Sequence, residues 1–128
     1  MRLSLHIASL AVLATCFVPT ATLSSDVGAG EKLFKRCSVC HTADADESKR
    51  GPSLKGVVGR KAASYPGYPY SDAMRKAADE GLVWNEDELK SFLKKPQATV
   101  KGTWMAFAGL TKEKDLENMI AYLKQHSE

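Results

Sequence analysis

Gly30-Glu31-Lys32-Leu33-Phe34-Lys35-Arg36-Cys37-Ser38-Val39-Cys40-His41-Thr42 is the run around which the rest of the chain is organised. Within it, Cys37-Ser38-Val39-Cys40-His41 has the form C-x-x-C-H, the attachment signature of c-type haem. The two thiols add across the haem vinyl groups as thioethers. The adjacent imidazole is then carried to the iron, because the covalent bonds fix its position relative to the porphyrin. A zinc half-site, a thioredoxin-like redox pair and a structural disulfide compete for the same cysteines. A zinc site takes four N/S ligands, yet the only histidine after His41 is His126. A redox pair has no use for His41. One covalently attached haem c is therefore expected, with Cys37 and Cys40 as its thiols and His41 as a ligand to the metal.

Upstream of this run, Met1-Arg2 supplies one positive charge, Leu3 to Val18 is mostly apolar, and Pro19 closes the apolar stretch. Small and polar residues follow from Thr20 to Ser25. This order describes a secretory signal peptide, and the apolar stretch is short for a permanent span. An uncleaved anchor is the alternative; a lipoprotein site at Leu13-Ala14-Thr15-Cys16 fits badly because of Thr15. The domains expected are a leader over 1–24, cleaved between 21 and 25, and a folded unit over 25–128. Cleavage after Ser24 leaves 104 of the 128 residues and removes one charge, Arg2, from a net of +3. So mild a balance argues against nucleic acid. A chain this small gains a large apolar centre by enclosing a porphyrin.

The remaining chain reads as helices and loops, with nothing resembling a sheet. Asp26 can cap a helix whose Val27, Gly30, Leu33, Phe34 and Cys37 recur at spacings of three and four. Ala43 to Arg50 is polar and reads as a surface loop, and Gly51 to Gly56 reads as turn. Residues 62–70 hold two prolines and three tyrosines, which suits an irregular wrapping segment. Ser71 caps a short helix over 72–80 that Gly81 stops, and Asn85 with Glu88 opens another that ends at Pro96. A non-helical loop is expected from Gln97 to Gly109. The last helix is expected to start near Thr111, with Leu116, Met119, Ile120 and Leu123 as a stripe read as core, not as cofactor contact.

The iron's other face needs a ligand or is left open. Met74, Met105, Met119, His126 and the lysines are the candidates. Met119 belongs to a packing stripe, Met74 to a short helix, and His126 to a tail expected to fray. Met105 lies in the glycine-flanked loop Gly102-Thr103-Trp104-Met105-Ala106-Phe107-Ala108-Gly109, and its thioether is a soft donor. Met105 is the expected second ligand to the metal.

With these segments in hand, the chain resembles the class I c-type cytochromes, bacterial cytochrome c2 and mitochondrial cytochrome c among them. The likeness runs over residues 26–124. It rests on Gly30 to Thr42, Gly51-Pro52-Ser53-Leu54, Gly56 to Lys61, Gly67 to Ala73, Trp84, Pro96, Gly102 to Gly109 and Ile120 to Lys124. It implies an all-α small cytochrome c fold in which N- and C-terminal helices cross at Gly30, with Phe34, Met119 and Tyr122 around it, while loops wrap the haem. By the same likeness, the Pro52 carbonyl would accept the ring N–H of His41. Arg60, Tyr70, Trp84 and Thr103 match cofactor-binding positions that hydrogen-bond or neutralise a buried propionate. Three departures are visible: Phe92 where relatives often have tyrosine, Met74 where they have asparagine, and Ser48 where they have histidine.

The resemblance implies a one-electron carrier and not an enzyme, because iron with both axial sites filled has nowhere to bind substrate. It would be soluble, exported to the periplasm and monomeric. Its redox partners would be a quinol-oxidising cytochrome complex or a periplasmic dehydrogenase on one side, and a terminal oxidase or reaction centre on the other. Its contact with these membrane complexes would be transient. A haem-based sensor or a peroxidase with a labile sixth ligand is the alternative. Gln97, Ala98, Trp104 and Thr111 stand where relatives often carry lysine, which implies a weaker salt dependence of docking. Trp104 either adds an apolar contact there or packs within its own loop.

Overall fold

The computed structural model describes residues 24–127, so the leader over 1–24 lies outside the described residues apart from its last position. Among the described residues five helices carry the fold: α1 (Val27–Phe34), α2 (Asp72–Asp79), α3 (Glu86–Lys94), α4 (Pro96–Thr99) and α5 (Glu113–Gln125). Among the described residues there is no strand beyond one isolated bridge between Lys61 and Val83. None of these helices is long and apolar enough to cross a membrane.

Local chemistry sets three of the helix starts. The Asp26 carboxylate accepts from the Ala29 N–H, the Ser71 hydroxyl from the Met74 N–H, and the Asn85 amide oxygen from the Glu88 N–H. Each satisfies one amide that the first turn leaves without a partner. α1 ends at Phe34, sooner than its apolar spacing implied, and tighter turns over 35–40 carry the chain through both cysteines.

Two further boundaries differ from the sequence reading. Residues 96–99 form a short helix where a loop was expected, because Pro96 has its ring-fixed φ at the first position and needs no N–H there. α5 starts at Glu113 and not near Thr111. Lys112 occupies the cap with no side-chain bond, and Glu113 and Asp115 favour the positive end of the helix instead.

α1 and α5 cross face to face at Gly30. A Cβ there would lie 2.7 Å from the Tyr122 Cβ and closer still to the Asn118 carbonyl oxygen, so only glycine permits this approach. Phe34 and Tyr122 stack beside the crossing with ring centroids 5.1 Å apart. The Asn118 side chain, 5 % exposed, accepts the Asp26 N–H at 2.8 Å and ties the start of α1 to α5.

His126 and Ser127 are bonded to the rest of the fold, against the fraying expected of this tail. The His126 ring packs 4.5 Å from that of Tyr122, its carbonyl accepts from the Gly56 N–H, and Ser127 Oγ accepts from the Val58 N–H. The turn at 56–58 and the C-terminus therefore hold each other. Behind the crossing, Leu116, Met119, Ile120 and Leu123 bury against Leu89, Phe92 and Leu93 of α3 in one apolar cluster.

Candidate cofactor site

One cavity of about 610 Å³ opens between α3, α5 and the loops. Cys37, Cys40, His41, Pro52, Arg60, Tyr70, Trp84, Thr103 and Met105 all line it, although they span 69 positions of the chain. Its remaining wall is mainly apolar, with Phe34, Val57, Leu89 and Phe92 among its members. No Asp, Glu or Lys lines it.

His41 is held from two directions. Its Nδ1–H donates to the Pro52 carbonyl at 2.7 Å, which leaves the Nε2 lone pair uncommitted. Gly51 packs so closely against the ring that a Cβ there would fall 2.7 Å from Nδ1 and nearer still to Cε1. The Gly51 N–H in turn donates to the Cys40 carbonyl at 2.8 Å, fastening the turn to the cysteine motif. Burial lowers the affinity of the imidazole for a second proton, and the bond to Pro52 opposes this only in part. The ring is thereby kept neutral, the form that ligates a metal.

Cys37 and Cys40 form no disulfide with each other, and both are half-buried. Burial pushes the Cys37 thiol up, opposed by nearby Arg36 and reinforced by Cys40, so it stays protonated.

Met105 sits on a braced loop. Its N–H donates to Thr103 Oγ1 at 3.3 Å, and the Gln97 amide spans the loop, donating to the Thr103 carbonyl at 2.7 Å and accepting the Gly102 N–H at 3.1 Å. The loop then returns to α3, where the Leu110 N–H donates to the Leu93 carbonyl.

Of the other ligand candidates, Met74 and Met119 also line the cavity, from α2 and α5, whereas His126 does not. This corrects the reading of the α5 stripe as plain core. Leu116 and Ile120 stay behind the wall, while Met119 and Leu123 form part of it.

The polar residues of the wall are only partly committed. Arg60 donates from Nη2 to the Ser53 carbonyl at 2.8 Å and from Nη1 to the Lys55 carbonyl at 3.0 Å, and its guanidinium lies over the Tyr65 ring. Burial lowers its proton affinity, a loss tempered by Tyr70 and Tyr65, but an arginine stays charged. The Tyr70 hydroxyl accepts from the Tyr65 N–H at 3.3 Å, so its own hydrogen remains to be given. Burial raises it above the usual tyrosine value, keeping it a donor. Trp84 stacks 5.0 Å from Phe92, and that ring has no hydroxyl to bring to the methionine side.

Sequence reasoning missed two residues of this site. Gly51 read as an ordinary turn glycine beside a proline, and nothing local marks its contact with a ring ten positions earlier. Gln97 read only as a missing lysine, yet its amide spans the Met105 loop.

An apolar slot of this volume holds two thiols, an imidazole nitrogen with a free lone pair and a thioether, with spare hydrogen-bond donors in the wall. These residues fit a haem. The family model "Cytochrome c" matches residues 27–127. Cytochrome c2 of Agrobacterium tumefaciens (strain II Chrys) is 50 % identical over 99 residues, covering 77 % of this chain and 89 % of that protein. Among solved structures, cytochrome cH from Methylobacterium extorquens superposes with a TM-score of 0.73 at 43 % identity, over 79 % of this chain and 99 % of the other. Cytochrome c2 from Rhodospirillum centenum gives 0.76 at 34 % identity, over 81 % and 100 %. The chain belongs to the cytochrome c family, electron-transfer proteins and not enzymes, and it carries one haem c, covalently attached at the motif that contains Cys37 and Cys40.

Proposed function

We propose that this protein is a periplasmic one-electron carrier whose haem iron is ligated by His41 and Met105. It would be exported by cleavage of a leader between 21 and 25, leaving residues 25–128 as the working domain. The observation that carries this reading is the gathering of His41 and Met105 into one apolar cavity, each on a braced segment. When bound, haem supplies the one-electron couple. The chain's residues do the rest.

Pro52 fixes the tautomer of His41 and Gly51 its tilt, so Nε2 is presented without a search among rotamers. Thr103 and Gln97 hold the loop that presents the Met105 sulfur. The apolar wall excludes water, which limits the rearrangement that accompanies a change of charge. Arg60, Tyr70, Trp84 and Thr103 are proposed to receive a propionate, since a carboxylate buried without partners is costly. Arg60 and Tyr70 have donors left for it. Neither a labile sixth ligand nor a substrate pocket is favoured by a loop held at both Thr103 and Gly102.

The carrier is proposed to run between a quinol-oxidising complex or periplasmic dehydrogenase and an oxidase or reaction centre, as a monomer. The ligand assignment is tested by Met105→Ala. The oxidised wild type is expected to show a sulfur-to-iron charge-transfer band, and its reduced form to leave carbon monoxide unbound. Met105→Ala should lose the band, bind carbon monoxide and fall substantially in reduction potential. An unchanged band in the variant would move the ligand elsewhere. Carbon monoxide binding by the reduced wild type would favour the sensor reading.

A further inference from the structure

Tyr65 lines no part of the cavity, yet it touches two of the polar groups set in the wall. The Arg60 guanidinium lies over its ring, with Cζ 5.4 Å from the centroid. Its N–H donates to the Tyr70 hydroxyl at 3.3 Å.

The turn before Tyr65 is bent to bring it there. Ala63, alone among the described non-glycine residues, has a positive φ, 53°, a conformation uncommon for any residue with a side chain. Ser64 Oγ donates to the Lys61 carbonyl at 2.6 Å, and Lys61 is itself bridged to Val83. The chain thus folds back against Arg60 at a local cost. Strain of this kind persists only where the surroundings hold it.

Hydrogen bonds fix Arg60 through Nη1 and Nη2 only, to the Lys55 and Ser53 carbonyls. Of the five guanidinium donors, two are spent there and three remain. The ring across its face stops the group from swinging about those bonds and keeps water off that side. The Tyr65 N–H meanwhile fills an acceptor site on Tyr70, which turns the phenolic hydrogen away from the turn. One residue behind the wall therefore sets the direction of both donors.

We infer that Tyr65 is a positioning residue for electron transfer, holding Arg60 and Tyr70 toward the haem carboxylate proposed for this corner and thereby raising the reduction potential. The sign follows from charge. Oxidation adds one positive charge at the iron, so a nearby carboxylate that is less neutralised favours the oxidised state. Loosening Arg60 lets water screen it, which weakens the neutralisation and lowers the potential.

The inference rests on the propionate reading of Arg60 and Tyr70, and the variants keep the two apart. Holoproteins with Tyr65→Leu, Tyr65→Phe, Arg60→Gln, and Tyr65→Leu combined with Arg60→Gln are titrated spectroelectrochemically at neutral pH. At a fixed applied potential, Tyr65→Leu should shift the ferrous-to-ferric ratio about twofold or more toward ferric, the factor set by the weaker cation–π contacts. Tyr65→Phe keeps both the ring and the N–H and should match wild type. Arg60→Gln should shift further than Tyr65→Leu, and adding Tyr65→Leu to it should change nothing more. The sulfur-to-iron band should stay intact in both Tyr65 variants. An unshifted Tyr65→Leu, a Tyr65→Phe shifted as far, or an undiminished effect of Tyr65→Leu beside Arg60→Gln would overturn the inference. So would loss of the band in Tyr65→Leu, since the shift would then report disturbed ligation. An unshifted Arg60→Gln sinks the propionate reading and this one with it, whereas a shift there with none in Tyr65→Leu sinks only the role of Tyr65. If Arg60→Gln yields no holoprotein, the leucine and phenylalanine variants decide by the same criteria.

Discussion

His41, the proposed iron ligand, shows how little freedom the fold leaves a ring held from two sides. The hydrogen bond to Pro52 governs rotation of the ring in its own plane, and the bare face of Gly51 governs its tilt. Gly51→Ala must therefore displace either the ring or the 50–52 turn. Overpacking of this kind costs about 1–3 kcal/mol. The variant is expected to lose stability in that range in guanidinium titration and to shift the haem spectrum as well. Wild-type stability together with a wild-type spectrum would show that the turn yields freely and that the contact is incidental. The same residues show which parts of a site a sequence displays. Cys37, Cys40 and His41 are legible because covalent attachment confines three residue types to one spacing. Gly51 is not, because its partner is a ring brought near by the fold, and a glycine before proline has a sufficient local explanation. Met105 is intermediate: its loop stood out, but Met74 and Met119 share the cavity and only the placement on a loop separates them.

At the scale of elements, the caps were the most legible feature, since Asp26, Ser71 and Asn85 bond amides only three residues away. What failed was equally local in cause. Pro96 was read as a stop when it is also a start, and Lys112 caps α5 without any side-chain bond that a pattern could register. The crossing of α1 and α5 depends on long-range contact, and Gly30 carries it. Gly28 lies on the same helix with only the Asp26 side chain near it, at 3.4 Å. The pair makes an internal control. Gly28→Ala should be neutral or stabilising by up to about 1 kcal/mol, the ordinary benefit of alanine in a helix. Gly30→Ala meets backbone and a Cβ, neither of which can swing aside, and should lose about 1–3 kcal/mol or more. Chemical denaturation of the two holoproteins measures the difference. Equal effects would mean that the helices slide apart at no cost, contrary to the packing of Phe34, Tyr122 and Asn118 around the crossing.

The whole molecule is built around a space that the chain does not fill. Leaving a cavity open costs about 24 cal/mol per Å³ where the wall cannot collapse. For a volume of about 610 Å³ that rate sets an upper bound of about 15 kcal/mol, since the cavity is partly open to solvent, against about 5–15 kcal/mol for the entire stability of a typical domain. Partial collapse lowers the figure, but collapse means that α3, α5 and the Met105 loop abandon the positions described above. The haem is therefore the centre of the hydrophobic core as well as the redox group, and attachment and folding become one event. A chain with Cys37→Ser and Cys40→Ser, purified without haem, is expected to lose most of its helical circular dichroism and to show no cooperative thermal transition. A cooperative transition with native helix content in that chain would mean that α1 and α5, with the cluster behind them, fold alone. The cavity would then be a pocket in a finished protein, and the thermodynamic coupling argued here would be wrong.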